Sequence, residues 1–269
     1  MGFASVTTLE KRLADEFGYG HSVLFGRARS ALVALLEALD VHSDFQILIP
    51  SNVCPELLAA VWSSGANVRL LPVDPTTGLV ADSVLASAIH SGERGMAIAT
   101  QLYGFRQRHP RTVAEARKRG WYLLENDTLM TGARSVAGQA EPFGDATLVS
   151  FGYSKTIDVG GGAILLNDNA LAKELYRKAA SYSPVSEEAK RAEQSTMTLF
   201  REARALSPDL AGRYAEQLLL AKSIPALRYG FAPDLASSLI DALDHLPKIA
   251  ESRRMHRSEE HTSELQSQR

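Results

Sequence analysis

The sequence predicts an α/β fold, a mostly parallel sheet sandwiched by helices and followed by a helical segment. Three observations predict it. Short apolar runs alternate with helical patterns over roughly 150 residues. The run Ala146 to Phe151 has the length and composition of a buried strand. Beyond Asn167 the pattern becomes all-helical, broken by Pro184, Pro208, Pro225, Pro233 and Pro247.

The elements follow in order. In Thr8 to Phe17, Leu9, Leu13 and Phe17 share one helical face, and His21 to Phe25 is a short strand or extended entry. Ala31 to Leu39 is a helix apolar almost all round, which predicts burial. Its start, Gly26 to Ser30, carries two arginines and small residues. Unpaired amides and the positive end of the dipole make such a helix end an anion site; the alternative is a plain buried helix with arginines in solvent. Phe45 to Ile49 is a strand, and Glu56 to Ser63 a helix with Leu57, Leu58, Val61 and Trp62 as its core face. Strands are expected at Val68 to Val73, Met96 to Leu102 and Trp121 to Leu124, with helices at Asp82 to His90 and Pro110 to Arg119 between them. Gly120 stands where a helix C-cap needs glycine. Further helices are predicted at Leu171 to Ala180, Ser186 to Ala205, Leu210 to Ser223 and Ala236 to Leu246.

Composition narrows the function. The chain has 269 residues, 45% hydrophobic and 22% charged, which is ordinary for a globular protein. A net charge of -2 gives no reason to expect a nucleic-acid or membrane-surface partner. Cys54 is the one cysteine, so an intrachain disulfide is impossible and a reducing compartment fits. No secretory pattern opens the chain, and no apolar run reaches the roughly 20 residues of a membrane helix. The seven histidines have no metal-ligand spacing, so no metal is expected.

In sheets of this kind ligands sit beyond the carboxyl ends of the strands. The polar groups there are Ser51 and Asn52, Tyr103, Glu125 to Thr128, and Ser150 to Lys155. Lys155 lies between two apolar runs, ahead of the glycine triplet Gly160 to Gly162. Either it is solvated on a loop or its amine is held for chemistry. A lysine, an acid at a neighbouring strand end and an anion-ready helix start together suit pyridoxal phosphate. The amine would form the Schiff base, the acid would keep the pyridine nitrogen protonated, and the helix end with nearby serines would hold the phosphate. The triplet lacks Gly-x-Gly-x-x-Gly spacing and precedes a strand, which excludes a dinucleotide loop.

At this point the residues resemble a family, the DegT/StrS-type sugar aminotransferases of the pyridoxal-phosphate transferase fold type I. The match runs in order through Arg29-Ser-Ala-Leu32, Ile49-Pro-Ser51, Leu71-Pro-Val-Asp74, Leu102-Tyr-Gly104, Leu124-Glu-Asn-Asp127, and Gly144-Asp145 through Ser150-Phe-Gly-Tyr-Ser-Lys155 to Gly160-Gly-Gly-Ala163. It implies that Lys155 is the Schiff-base lysine and proton shuttle, and that Ser150 and the amides of Arg29, Ser30 and Ala31 bind the phosphate. The family register puts Asn126 where an acid belongs, so the acid is expected at Asp127, one residue on. Cys54 falls where relatives place the aromatic residue stacked on the cofactor ring; Tyr103 and Tyr153 are either ring neighbours or core residues.

The resemblance further implies transfer of an amino group from an amino acid to a keto sugar or nucleotide-linked keto sugar, in a cytoplasmic homodimer. The alternatives are a non-catalytic or regulatory protein that retains the fold, and a sugar dehydratase; dehydratase relatives replace the lysine with histidine, so Lys155 favours transfer. The expected domains are a cofactor-binding domain at 1–180, a helical segment at 181–256 leading to a missing small domain, and a non-native tail at 257–269. That tail resembles a translated sequencing adapter and lacks helical apolar periodicity.

Overall fold

The computed structural model describes residues 5–102, 107–129, 142–152, 155–184 and 227–267, with isolated positions between 186 and 202 and main chain alone at 250 and 253–267. Seven strands form one sheet: β1 (His21–Phe25), β2 (Phe45–Pro50), β3 (Asn67–Leu71), β4 (Arg94–Thr100), β5 (Tyr122–Asn126), β6 (Ala146–Ser150) and β7 (Gly162–Leu166). Their order is β1-β7-β6-β5-β4-β2-β3. β2 to β6 pair in parallel with their neighbours, whereas β7 runs antiparallel to both β6 and β1. His21 to Phe25 is thus a true strand, laid on the sheet's far edge.

Strand alternation divides the core into two faces. On one, Ile47, Ile49, Met96, Ile98, Leu124, Leu148, Ile164 and Leu166 pack under α2 (Ala28–Ala38), α3 (Pro55–Trp62) and α6 (Asn169–Ser181). On the other, Leu48, Ala97 and Leu123 meet α4 (Asp82–Ala88) and α5 (Pro110–Arg119), while Val149, Ala163 and Leu165 meet α1 (Val6–Phe17) and α7 (Ala236–Ser267). The result is the three-layer arrangement that the alternation predicts. α2 is buried from Arg29 through Leu36. Each of Leu32, Leu35 and Leu36 contributes about 1.5–3 kcal/mol by burial. Gly120 caps α5 at φ 68°, the left-handed conformation that glycine adopts without Cβ strain.

Two expectations need correction. The buried stripe of α3 is Leu57, Ala60 and Val61, with Ala59, whereas Trp62 is 51% exposed and Leu58 only half-buried. Small alanines let α3 lie close on α2's layer, which turns the large Trp62 outward. The last helix does not stop at Leu246 but continues through Pro247 to Ser267. Pro247 is exposed, so water can take up the carbonyl that loses its amide partner, while Leu239, Leu243 and Leu246 anchor the preceding turns. The predicted helices at Leu210 to Ser223 and over most of Ser186 to Ala205 lie outside the described residues, as do Tyr103, Tyr153 and Ser154. Among the described residues, no helix is long and apolar enough to cross a membrane.

Candidate active site

Four segments distant in sequence meet at the carboxyl end of the parallel strands. The first is the head of α2. Arg27 is extended there and pairs with Gly161, and Ala28 lies on Gly162. A Cβ on Gly162 would sit 2.5 Å from both N and Cα of Ala28, so only glycine lets the helix start approach this closely. Gly26 donates its N–H to Tyr229 O at 2.8 Å, and Tyr229 N donates to Ser30 Oγ at 3.2 Å. Ala31 N donates to Arg27 O at 3.1 Å and closes the first helical turn. The dipole-bearing turn is therefore Ala28 to Ser30, with Ala31 behind it in the core.

The glycine triplet also shapes the second segment. Phe151 N donates to Gly161 O at 3.0 Å, and Val159 and Gly160 donate to Phe151 O at 3.0 and 2.6 Å. These bonds tie Phe151 to residues 159–161 of the loop that carries Lys155, with Phe151 and Ile157 buried. Gly160 and Gly161 have φ of 115° and 95°, conformations that other residues enter only under strain. Lys155 stands on this loop, its N–H turned back to Gly152 O at 3.1 Å. Ser150 ends β6 directly opposite Gly162 and shares the face of Leu148, the α2 face. The serine thus stands beside the head of α2, with Gly162 between them.

The third segment is the start of α3. Cys54 is its exposed N-cap residue, and Glu56 lies in its first turn. Arg29 is buried, and its Nη1 donates to Glu56 Oε2 at 2.6 Å. The reading of this helix start with arginines in solvent fails for Arg29. Cys54 and Glu56 also lie within electrostatic reach of Lys155. Burial pulls the Lys155 ammonium below the usual lysine range, and the Cys54 thiol and Glu56 carboxylate draw it part of the way back. At a given pH the net effect is more neutral amine, the nucleophilic form. Nothing basic is near Cys54 in sequence, but a lysine faces it in space.

The fourth segment is the end of β5. Glu125 is fully buried, with Oε1 accepting from Phe143 N at 2.8 Å and Gly144 N at 3.0 Å, so it binds the chain entering β6. Leu124 packs with α2's layer and Leu123 with the opposite one, so alternation aims Asn126 at the α2 face. Asn126 donates through Nδ2 to Thr100 Oγ1 at 3.3 Å and accepts from Thr128 N at 3.3 Å. Asp127 follows where the strand ends, 2% exposed, its N–H on Leu148 O at 2.9 Å. A half-buried amine, a helix head backed by a buried arginine, a serine beside it and buried polar groups at the next strand end can together hold a phosphorylated carbonyl compound.

The model of the DegT/DnrJ/EryC1/StrS aminotransferase family matches residues 3–198, a span that contains all four segments. The chain belongs to that family. Among similar proteins, this DegT/DnrJ/EryC1/StrS member is 24% identical over 175 residues to Protein MosB of Rhizobium meliloti, covering 65% of this chain and 34% of that protein. It is 26% identical over 169 residues to the UDP-N-acetyl-3-dehydro-alpha-D-glucosamine 3-aminotransferase of Acidithiobacillus ferrooxidans, covering 62% of this chain and 46% of the relative. Such curated relatives are two to three times as long as the segment they share, which spans 34% to 47% of their length. Of solved structures, S. venezuelae DesV superposes with a TM-score of 0.65 at 18% identity, covering 92% of this chain and 58% of that one. A DegT/DnrJ/EryC1/StrS aminotransferase from Brucella abortus gives 0.62 at 19%, covering 90% and 59%. These likenesses establish the fold.

The predicted residues Arg29, Ser30, Ala31, Cys54, Asp127, Ser150 and Lys155 all fall in these four segments. The sequence reading missed Glu56. Its signal was available: two residues beyond Cys54, it is an acid in the first turn of the helix next to a buried helix carrying Arg29, and a buried arginine needs a counter-charge.

Proposed function

We propose that the parent protein is a pyridoxal-phosphate-dependent aminotransferase that moves an amino group from an amino acid to a keto group of a nucleotide-linked sugar. The observation that carries this reading is the convergence of Lys155, its amine depressed by burial, with the head of α2 and Ser150. The residues fit the cofactor. The first turn of α2 and Arg29 would take the phosphate, and Ser150 would add a hydroxyl. Lys155 Nζ would hold the aldehyde carbon, and Cys54 stands at the exposed side, where a small apolar group can flank the ring. When bound, the cofactor supplies an electron sink that makes the substrate Cα–H acidic. Lys155 then takes that proton at Nζ and returns it one position along.

The acid toward the pyridine nitrogen is assigned to Asp127. Of the two buried carboxylates at this strand end, Glu125 is committed to the Phe143 and Gly144 amides. Asn126 offers a hydrogen bond but no charge. The sugar acceptor rests on the relatives, one of which is the 3-aminotransferase named above. A cytoplasmic homodimer is the assembly we propose for the full-length parent.

One titration tests the scheme. Purified protein given pyridoxal phosphate should develop the absorption band of a lysine-linked cofactor, and Lys155→Ala should lose it entirely. Asp127→Asn should keep the band but lower cofactor affinity and half-reaction rate, on the order of a hundredfold for the rate, since a buried charge on the ring is lost. A folded wild-type chain that develops no band sinks the cofactor reading. Asp127→Asn without effect, beside an Asn126→Asp variant that gains affinity, moves the acid's place to position 126.

A further inference from the structure

Among the charged groups that the four segments bring to this site, the Glu56 carboxylate has no part in the scheme above. Arg29 heads α2 with its side chain 7% exposed, which requires a partner, since an unpaired buried guanidinium is strongly destabilising. Glu56 is that partner, across 2.6 Å, from a different helix. The Glu56 side chain is 36% exposed, so it reaches past Arg29 toward solvent. Glu56 is also in the first turn of α3, where the helix dipole favours a negative charge.

We propose that Glu56 is a positioning residue of the anion cradle: its carboxylate fixes the Arg29 guanidinium at the head of α2 and sets the net positive charge that an incoming phosphate meets. The inference rests on the reading of this end of α2 as a phosphate site. Its two effects have opposite signs. Fixing Arg29 favours anion binding, because the donor fork is already in place. The negative charge opposes it, because a phosphate dianion must settle beside a carboxylate. The ordering effect is the larger, so Glu56 favours anion binding on balance, while its charge alone opposes it.

Two variants separate these effects. Glu56→Gln keeps an oxygen that can accept from Arg29 Nη1 but removes the charge. Glu56→Ala removes both. On the full chain, calorimetric titration with inorganic phosphate and with pyridoxal phosphate is expected to show about tenfold tighter binding in the Gln variant, from loss of the like-charge term. The Ala variant is expected to bind both anions several-fold more weakly than wild type. Thermal melts establish that each variant is folded, and the isosteric Gln variant keeps the test decisive even if the Ala variant unfolds. A carboxylate that only supports the end of α3 would lower the melting temperature and leave the Gln variant's phosphate affinity unchanged. No gain in that variant overturns the proposal. Borohydride trapping of pyridoxal phosphate on wild-type Lys155, read by peptide mass, is a separate arm. Its failure would remove the cofactor reading while the inorganic phosphate arm still judges Glu56.

Discussion

Lys155 and Glu10 are both ionisable groups shifted by burial, one on the loop after β6 and the other against the outer edge of β1. Burial lowers the lysine and pushes the Glu10 carboxyl up to about 7. A cleft of about 540 Å³ lies beside Glu10, lined among others by Thr7, Glu10, His21, Ser22 and Tyr176. By cavity and pKa alone, Glu10 would be the better candidate for chemistry. The hydrogen bonds say otherwise. Glu10 Oε1 accepts from Leu24 N at 3.0 Å, and Tyr176 OH donates to Ser22 O at 3.0 Å. Both satisfy the outer backbone edge of β1, the last strand of the sheet, as an edge strand requires. At Lys155, by contrast, four separate segments converge and bring groups of both charges. A perturbed pKa marks a site when several elements bring complementary groups to it, and marks packing when the group completes a backbone ladder.

The comparison can be broken by three substitutions, in falling order of effect. Gly162→Ala should be the most damaging, because its methyl would drive into the Ala28 backbone and push the head of α2 off β7. A loss of about 3 kcal/mol in denaturant unfolding is expected, together with weaker phosphate binding. A stable variant with wild-type phosphate affinity would show that the close approach is unnecessary.

Glu10 tests the outer edge of β1 through pH. Its folded-state pKa stands above the ordinary 4.5, so between about 4.5 and 7 the folded chain holds a proton that the unfolded chain releases. Stability from this group is therefore complete below 4.5 and is lost as pH rises through 7. Glu10→Gln should unfold at a higher temperature than wild type near pH 8, by the equivalent of about 1–3 kcal/mol, with the difference shrinking near pH 4. Equal pH dependence in the two proteins would show that Glu10 is not the group responsible.

The smallest effect is expected at Ser22, whose Oγ is buried without a hydrogen-bond partner among the described residues. Ser22→Ala should be neutral or stabilising by up to about 1 kcal/mol in a melt. A clear destabilisation would mean that the hydroxyl has a partner in solution and that this end is more than packing.

What the sequence revealed follows the range of the forces involved. The strands, the buried α2, the Gly120 cap and Lys155 on its loop were legible, because periodicity, composition and turn chemistry act over a few residues. The outward turn of Trp62 was not, because only the neighbouring helix decides which side of α3 is covered. The passage of α7 through Pro247 was hidden for a related reason, since local chemistry predicts a stop and tertiary anchoring at Leu239, Leu243 and Leu246 overrides it. Glu56 escaped because its meaning depends on Arg29, which is near it only in space. At β5 strand alternation aims Asn126 at the α2 face and Asp127 follows where the strand ends, and no short-range pattern encodes which of the two would serve a bound group.

The pairing of β1 with β7, His21 opposite Leu166, sets a timetable for the newborn chain. α2 is among the first helices to leave the ribosome, yet the strand that receives its head is the last of the seven to be made. Until that strand emerges, the head of α2 lacks the glycine it settles on, although Arg29 and the apolar flank of the helix can already meet α3 and β2, and closing so long a loop slows the search. The head of α2 therefore takes its final place only after most of the sheet has been synthesised, and a chain stalled before residue 162 would leave that helix end uncovered for chaperones to hold.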